Sequence, residues 1–225
     1  MKLIWKIIFA LVMIVTPVFL LLTSVRALVN PLFLQIEYSL PGFPDDPFGF
    51  TREERLKWAT LSVEYLMNDS DITFLENLKF NNGQTIYNDR ELSHMEDVKN
   101  LLQTVIPIWI MLGLYLVMVG LITWRVKRLA DFGHALSAGG WTVLGLIAVM
   151  TIGVALSFSA LFTGFHRLFF EGDTWLFYTS DTLIRLFPLR FWRDAFLFVG
   201  ALTVIEALLL ILLGRYLQRS KRVTL

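Results

Sequence analysis

The sequence runs to 225 residues, of which 56% are hydrophobic and only 17% charged. A soluble domain has an apolar share nearer a half or less, so part of this chain must face lipid. Lys and Arg number 20 against 19 Asp and Glu, and that near balance offers no basic footprint for nucleic acid. With no cysteine, disulfides, thiolate nucleophiles and cysteine metal ligands are excluded.

A crossing needs roughly 20 mainly apolar residues to span about 30 Å of hydrocarbon. Four runs meet that need: Lys6 to Arg26, Lys99 to Arg125, His134 to His166, and Asp194 to Arg215. The last contains Glu206, which costs about 2.5–3.5 kcal/mol near a helix centre and is offset by the surrounding Leu, Ile and Val. The first run could also open a cleavable leader. Its apolar stretch exceeds the roughly 7–15 residues of a signal core, and Arg26 sits directly before the cleavage-like Ala27, so an anchor is the better reading.

Lys2, Lys6, Arg125, Lys127, Arg128, Arg215, Arg219, Lys221 and Arg222 all flank the crossings on one side, which is therefore expected to be cytoplasmic. Trp5, Trp124 and Trp141 would then lie near the inner interface, and Trp109 and Trp192 near the outer one. Arg167, Arg185, Arg190 and Arg193 in the last outer loop oppose this asymmetry, among the acids Glu171, Asp173, Asp181 and Asp194. The expected fold is a mainly α, polytopic membrane protein. It comprises a first transmembrane helix over 1–29, a small α+β extracytoplasmic cap over 30–100, and helices two to four over 101–225 with an outer interfacial loop at 166–193. Both termini are expected in the cytoplasm.

Within the cap, Pro41, Gly42, Pro44, Asp45, Asp46 and Pro47 make a turn-rich entry, and Thr51 with Glu54 forms a capping box. Leu56, Ala59, Val63 and Leu66 follow on one helical face. Short runs at Ile72–Leu75, Leu78–Phe80 and Thr85–Tyr87 read as strands, the last two joined by an Asn82-Gly83 hairpin turn. Ser93 and Glu96 make a second capping box, starting the helix that continues into the second crossing. Gly145, Gly153, Ser157, Ser159 and Ala160 place the third crossing at the bundle centre. A short helix from Asp181 to Phe187, capped by Ser180 or Asp181 and stopped by Pro188, is expected in the outer loop.

Topology puts two of the three histidines, His94 and His166, on the outer side, and His134 on the other. Imidazole titrates near pH 6.5 and is the commonest general acid or base, so this pair is the candidate site. Each also reads as an interfacial hydrogen-bonding residue. Glu96, Asp97, Glu171 and Asp173 could orient the rings, or with them hold zinc. The chain has no second histidine at helical spacing to form H-E-x-x-H, so no metal is expected. No G-x-S-x-G elbow, phosphate-binding glycine loop or nucleotide fingerprint is present, and His134 lacks the following acid of an H-x4-D acyltransferase motif. Glu206, roughly 18 Å below the outer end, reads as a packing residue.

Three stretches carry a resemblance: Gly49-Phe50-Thr51-Arg52-Glu53-Glu54-Arg55, Glu91-Leu92-Ser93-His94-Met95-Glu96-Asp97-Val98, and Phe165-His166-Arg167-Leu168-Phe169-Phe170 through Gly172-Asp173-Thr174-Trp175. Together with the four-crossing plan and the run Asp181 to Pro188, they resemble the membrane-protein family that contains the bacterial lipoprotein intramolecular transacylase. The resemblance implies transfer of the sn-2 acyl chain of a diacylglyceryl lipoprotein to the α-amine of its N-terminal cysteine in the plasma membrane, without a cofactor. His94 and His166 match the family's two essential histidines. On that reading His94 is assigned as base and His166 as acid or oxyanion donor, an order the sequence leaves reversible. Asp97 and Asp173 are candidate orienting groups, while Trp175 and Arg185 are candidate lipid contacts or simple interfacial anchors. The expected partners are a diacylated lipoprotein and membrane lipid, with no nucleic acid. The other readings are a membrane scaffold or sensor whose cap binds lipid or protein, and a metal-dependent lipid hydrolase using the same histidines.

Overall fold

The computed structural model describes residues 2–170 and 172–219. In chain order its helices are α1 (Lys2–Leu28), α2 (Pro31–Glu37), α3 (Arg52–Met67), α4 (Thr73–Glu76), α5 (Asp89–Arg125), α6 (Leu129–Phe169), α7 (Thr182–Leu186) and α8 (Leu189–Arg219). Helices α1, α5, α6 and α8 are long and apolar enough to cross a membrane. These match the four expected runs, and the protein is a mainly α, multi-pass membrane protein.

The chain divides into two compact units. One takes the chain through residue 27, then 105–156, then from 198 onward; the other takes 28–104 and 157–197.

In the first unit, Val12, Leu116, Val119, Phe132, Ala135 and Leu136 form one core cluster, and Leu20, Val143 and Ala207 another. Close backbone approach occurs at Gly139 and Gly140 of α6. A Cβ on Gly139 would stand 2.6 Å from Thr16 of α1, and one on Gly140 2.6 Å from Ile211 of α8. Helix α6 meets α1, α5 and α8, through Gly139 with Thr16, Phe132 with Gly120 and Gly133 with Gly214, but it does so in its first half and not through the small residues expected to carry the contact. Gly145 has no neighbour within 4 Å, and Ser157, Ser159 and Ala160 are exposed. Small residues favour close approach only where another backbone arrives, and here it arrives near residue 139, earlier in the helix.

Helix α6 breaks at Ser157, whose φ of −164° and ψ of 94° are extended. The Ser157 hydroxyl accepts the Ala160 N–H at 3.2 Å, so the residue caps the helical segment that follows it.

The second unit is organised around Phe33, Leu34, Tyr38, Trp58, Val63, Tyr65, Leu75, Ile86, Tyr87, Met95, Leu183, Leu186 and Phe191. Thr51 and Glu54 form the expected capping box on α3. The β component of the cap is corrected downward. Ile72–Leu75 contributes to the helical turn α4, and among the described residues the hairpin at Asn82-Gly83 holds a single bridge between Lys79 and Thr85. Gly83, at φ +84°, makes the turn, but Leu78 and Ile86 point into a helical core that supplies no further strand.

Helix α5 starts earlier than expected. Asn88 Oδ1 accepts the Glu91 N–H at 3.1 Å while Glu91 Oε2 accepts the Asn88 N–H at 2.8 Å, a reciprocal cap that replaces the Ser93–Glu96 box. The other Glu91 oxygen accepts the Leu183 N–H at 2.6 Å. Glu91 thus caps α7 as well, and Asp181, which makes no cap bond of its own there, accepts instead from Tyr178 N at 2.9 Å and Asn88 Nδ2 at 3.3 Å.

Candidate active site

His94 and His166 both belong to the second compact unit, and both are buried. His94 lies in the second turn of α5. Phe162, His166 and Phe170 follow one another at four-residue spacing along the end of α6, which places them on one helical face. The segment after α6 turns back at Gly172, whose φ of +65° suits a residue without Cβ, and brings Trp175 and Phe177 to the same place.

The two imidazoles are nearly parallel, with centroids 6.0 Å apart. Phe170 and Phe177 meet the His94 ring edge-to-face at 4.9 and 5.4 Å. Phe162 lies 4.2 Å and Trp175 5.1 Å from the His166 ring. The two imidazoles are thus enclosed by aromatic rings, with the Trp175 indole among them.

His166 Nδ1 lies 2.8 Å from the carbonyl oxygen of Phe162. A carbonyl only accepts, so Nδ1 carries the proton and the neutral ring presents the Nε2 lone pair. His94 Nδ1 and Trp175 Nε1 are shielded and have no hydrogen-bond partner in the protein.

Asp97, expected beside a histidine, accepts a hydrogen bond from Thr174 Oγ1 at 3.3 Å. Asp173 is exposed in the turn, where its carbonyl accepts the Leu176 N–H at 3.0 Å. A residue overlooked in the sequence, Arg90, donates to the Leu176 carbonyl at 3.0 Å and lies over Tyr178. Arg90, His94 and Asp97 fall one helical turn apart on α5, a spacing that could have identified Arg90. The three fix and face the returning segment from one side of the helix.

Arg185 is engaged elsewhere. It forms an ion pair with Asp46 at 2.8 Å and lies 3.5 Å from the centre of the Phe50 ring. Burial would raise the Asp46 carboxyl, but the Arg185 bonds and the Phe50 N–H outweigh it and hold the group below the usual carboxylate range. His134 is exposed on α6, and Glu206 accepts from Ser24 at 3.2 Å within the first unit. Among the described residues, no three His, Asp or Glu side chains gather as a metal site.

Residues 10–192 match the family described as lipoprotein intramolecular transacylase Lit. An uncharacterized protein of Aquifex aeolicus (strain VF5) is 32% identical over 209 residues, covering 93% of this chain and 94% of that one. The membrane integral lipoprotein intramolecular transacylase Lit from Bacillus cereus is similar in fold, with a TM-score of 0.82 over 100% of both chains at 19% identity. A variant of that protein with a histidine replaced by arginine aligns at TM-score 0.70 and 18% identity, over 98% of this chain and 94% of the other. The extent of the family match, reaching from α1 into α8 and through the aromatic pocket, shows that this chain belongs to the lipoprotein intramolecular transacylase family.

Proposed function

We propose that this protein is an intramolecular O-to-N transacylase. It moves the sn-2 acyl chain of a diacylglyceryl lipoprotein to the α-amine of its N-terminal cysteine, leaving a lyso-form lipoprotein. The observation that carries the reading is the pairing of His94 and His166 at 6.0 Å inside an aromatic pocket. The lysine and arginine flanks support an orientation with both termini in the cytoplasm and the histidine pair at the outer face of a bacterial plasma membrane.

The attacking amine belongs to the substrate, so the enzyme needs no serine or cysteine nucleophile. An imidazole held beside the α-amine can take its proton as a general base. The bond from His166 to the Phe162 carbonyl favours His166 as base, because it leaves Nε2 free to accept. His94 then gives a proton to the departing glycerol oxygen and is reprotonated by the one His166 took from the amine, the reverse of the order assigned from sequence. Asp97 supports the site through Thr174, and Arg185 supports the cap through Asp46, with neither bonded to a histidine. Amine and ester share one molecule, and holding them together removes much of the entropy cost of a bimolecular encounter.

The test is mass spectrometry of the N-terminal lipopeptide of a tracer lipoprotein, co-expressed with this protein in a bacterium that makes only diacyl lipoproteins. Wild type is expected to shift the acyl chain to the amine, and His94→Ala and His166→Ala each to slow the shift by at least about 100-fold. A lipopeptide that stays diacylglyceryl beside well-expressed wild type would sink the proposal.

A further inference from the structure

Among the described residues, four buried side-chain polar atoms lack a hydrogen-bond partner: Glu37 Oε1, Arg55 Nε, His94 Nδ1 and Trp175 Nε1. Buried polar groups in folded proteins are nearly always paired, so each such atom calls for a reason. The other Arg55 contacts supply one, since its Nη1 donates to the Pro44 carbonyl at 2.8 Å and its guanidinium lies over Phe43. His94 and Trp175 differ because their rings flank the same His166 imidazole, at 6.0 and 5.1 Å. Two unsatisfied polar groups beside one candidate base mark a position that an occupant completes.

The indole N–H donates and cannot accept, so its occupant must bring an acceptor. In an acyl transfer the atom that gains charge is the ester carbonyl oxygen, and donors aimed at it are effective when they are held in place before the reaction. Trp175 is held in this way. Its predecessor Thr174 bonds Asp97, and its successor Leu176 offers its carbonyl to Arg90, so both neighbours of the indole are tied to α5. A tryptophan that merely lined an acyl groove would need its ring face and would gain nothing from a buried, unpaired N–H.

Resting on the transacylase reading, we infer that Trp175 is a catalytic residue whose Nε1–H binds the sn-2 ester carbonyl and stabilises the oxyanion. Asp97, Thr174 and Arg90 act through it as positioning residues. The amine nitrogen attacks the carbonyl carbon, forming the C–N bond, while the carbonyl π pair moves to the oxygen facing the indole. Collapse restores the carbonyl and breaks the bond to the glycerol sn-2 oxygen, which receives the proton that the attacking amine gives up through the histidine pair. Ester and amine become alcohol and amide with no co-reactant.

The experiment uses full-length protein in membranes and a synthetic diacylglyceryl-cysteine lipopeptide, with mass spectrometry following acyl migration. Trp175→Phe keeps an aromatic face and removes the N–H. It is expected to lower kcat by about 100-fold with KM little changed. A kcat within about threefold of wild type, or a loss confined to KM, overturns the inference. If Trp175→Phe does not accumulate, 3-benzothienylalanine at position 175, with sulfur in place of the N–H, is read by the same two constants. Inactive wild type is a separate failure, seen before any variant is compared, and would remove the transacylase reading itself.

Discussion

Glu37 ends α2 with only 2% of its surface exposed, one carboxyl oxygen unpartnered and the Asp194 carboxyl beside it. Burial and then the Asp194 charge push its pKa up to about 7, although Arg190 pulls the other way. Because the folded state favours the protonated form, this group's contribution to stability is complete below about pH 4.5 and is lost as pH rises through about 7. Thermal unfolding of the detergent-solubilised protein is expected to show wild type losing stability across that window and Glu37→Gln losing less. An identical slope in the variant would place the titration in another group. The residue types at such sites are readable from sequence, but their pairing is not. His166 and Phe162 at four-residue spacing can be placed on one face, yet the tautomer depends on how the ring turns toward the Phe162 carbonyl. Arg185 reads as a lipid contact until Asp46, 139 positions away, is found beneath it.

Helix starts were legible where both capping partners lie within a few residues, as at Thr51 and Glu54. Asn88-Asp89-Arg90-Glu91 has the same local form and competed with Ser93–Glu96. The contact that decides between them, Glu91 to the α7 backbone, is long-range. Helix α2 was overlooked although Asn30-Pro31 is a start signal: Asn30 Oδ1 accepts the Leu32 N–H at 2.8 Å and Pro31 fills the first position. Small residues in α6 were visible, but which of them meet a neighbouring helix depends on where α1 crosses. Gly139→Leu is expected to destabilise the solubilised protein by about 1–3 kcal/mol or more, because its side chain enters the space of buried Thr16. Gly145→Leu, where nothing lies within 4 Å, is expected to be tolerated. Equal unfolding temperatures for the two variants would refute this account of α1–α6 packing.

The second compact unit is assembled from two stretches of chain, 28–104 and 157–197, and the proposed pocket takes His94 from one and His166 with Trp175 from the other. The four crossings could be counted from hydropathy alone, whereas the return of the second stretch to the first rests on contacts such as Thr182 with the Ile86 carbonyl, 96 positions apart. The turn at Lys127, the described non-glycine residue with positive φ, separates the two stretches. Fragments 1–127 and 128–225, produced separately, are each expected to leave a diacylglyceryl tracer unchanged, and co-expression is expected to restore acyl migration. Migration with the first fragment alone would show that His166 is dispensable. The same division has a consequence for biosynthesis. A ribosome delivers His94 long before His166, and the pocket cannot close until the chain beyond Phe177 has left the exit tunnel. On the proposed reading, each newly made molecule therefore passes through a period in which it resides in the membrane without its His94–His166 pair, and termination before His166 leaves that pair incomplete.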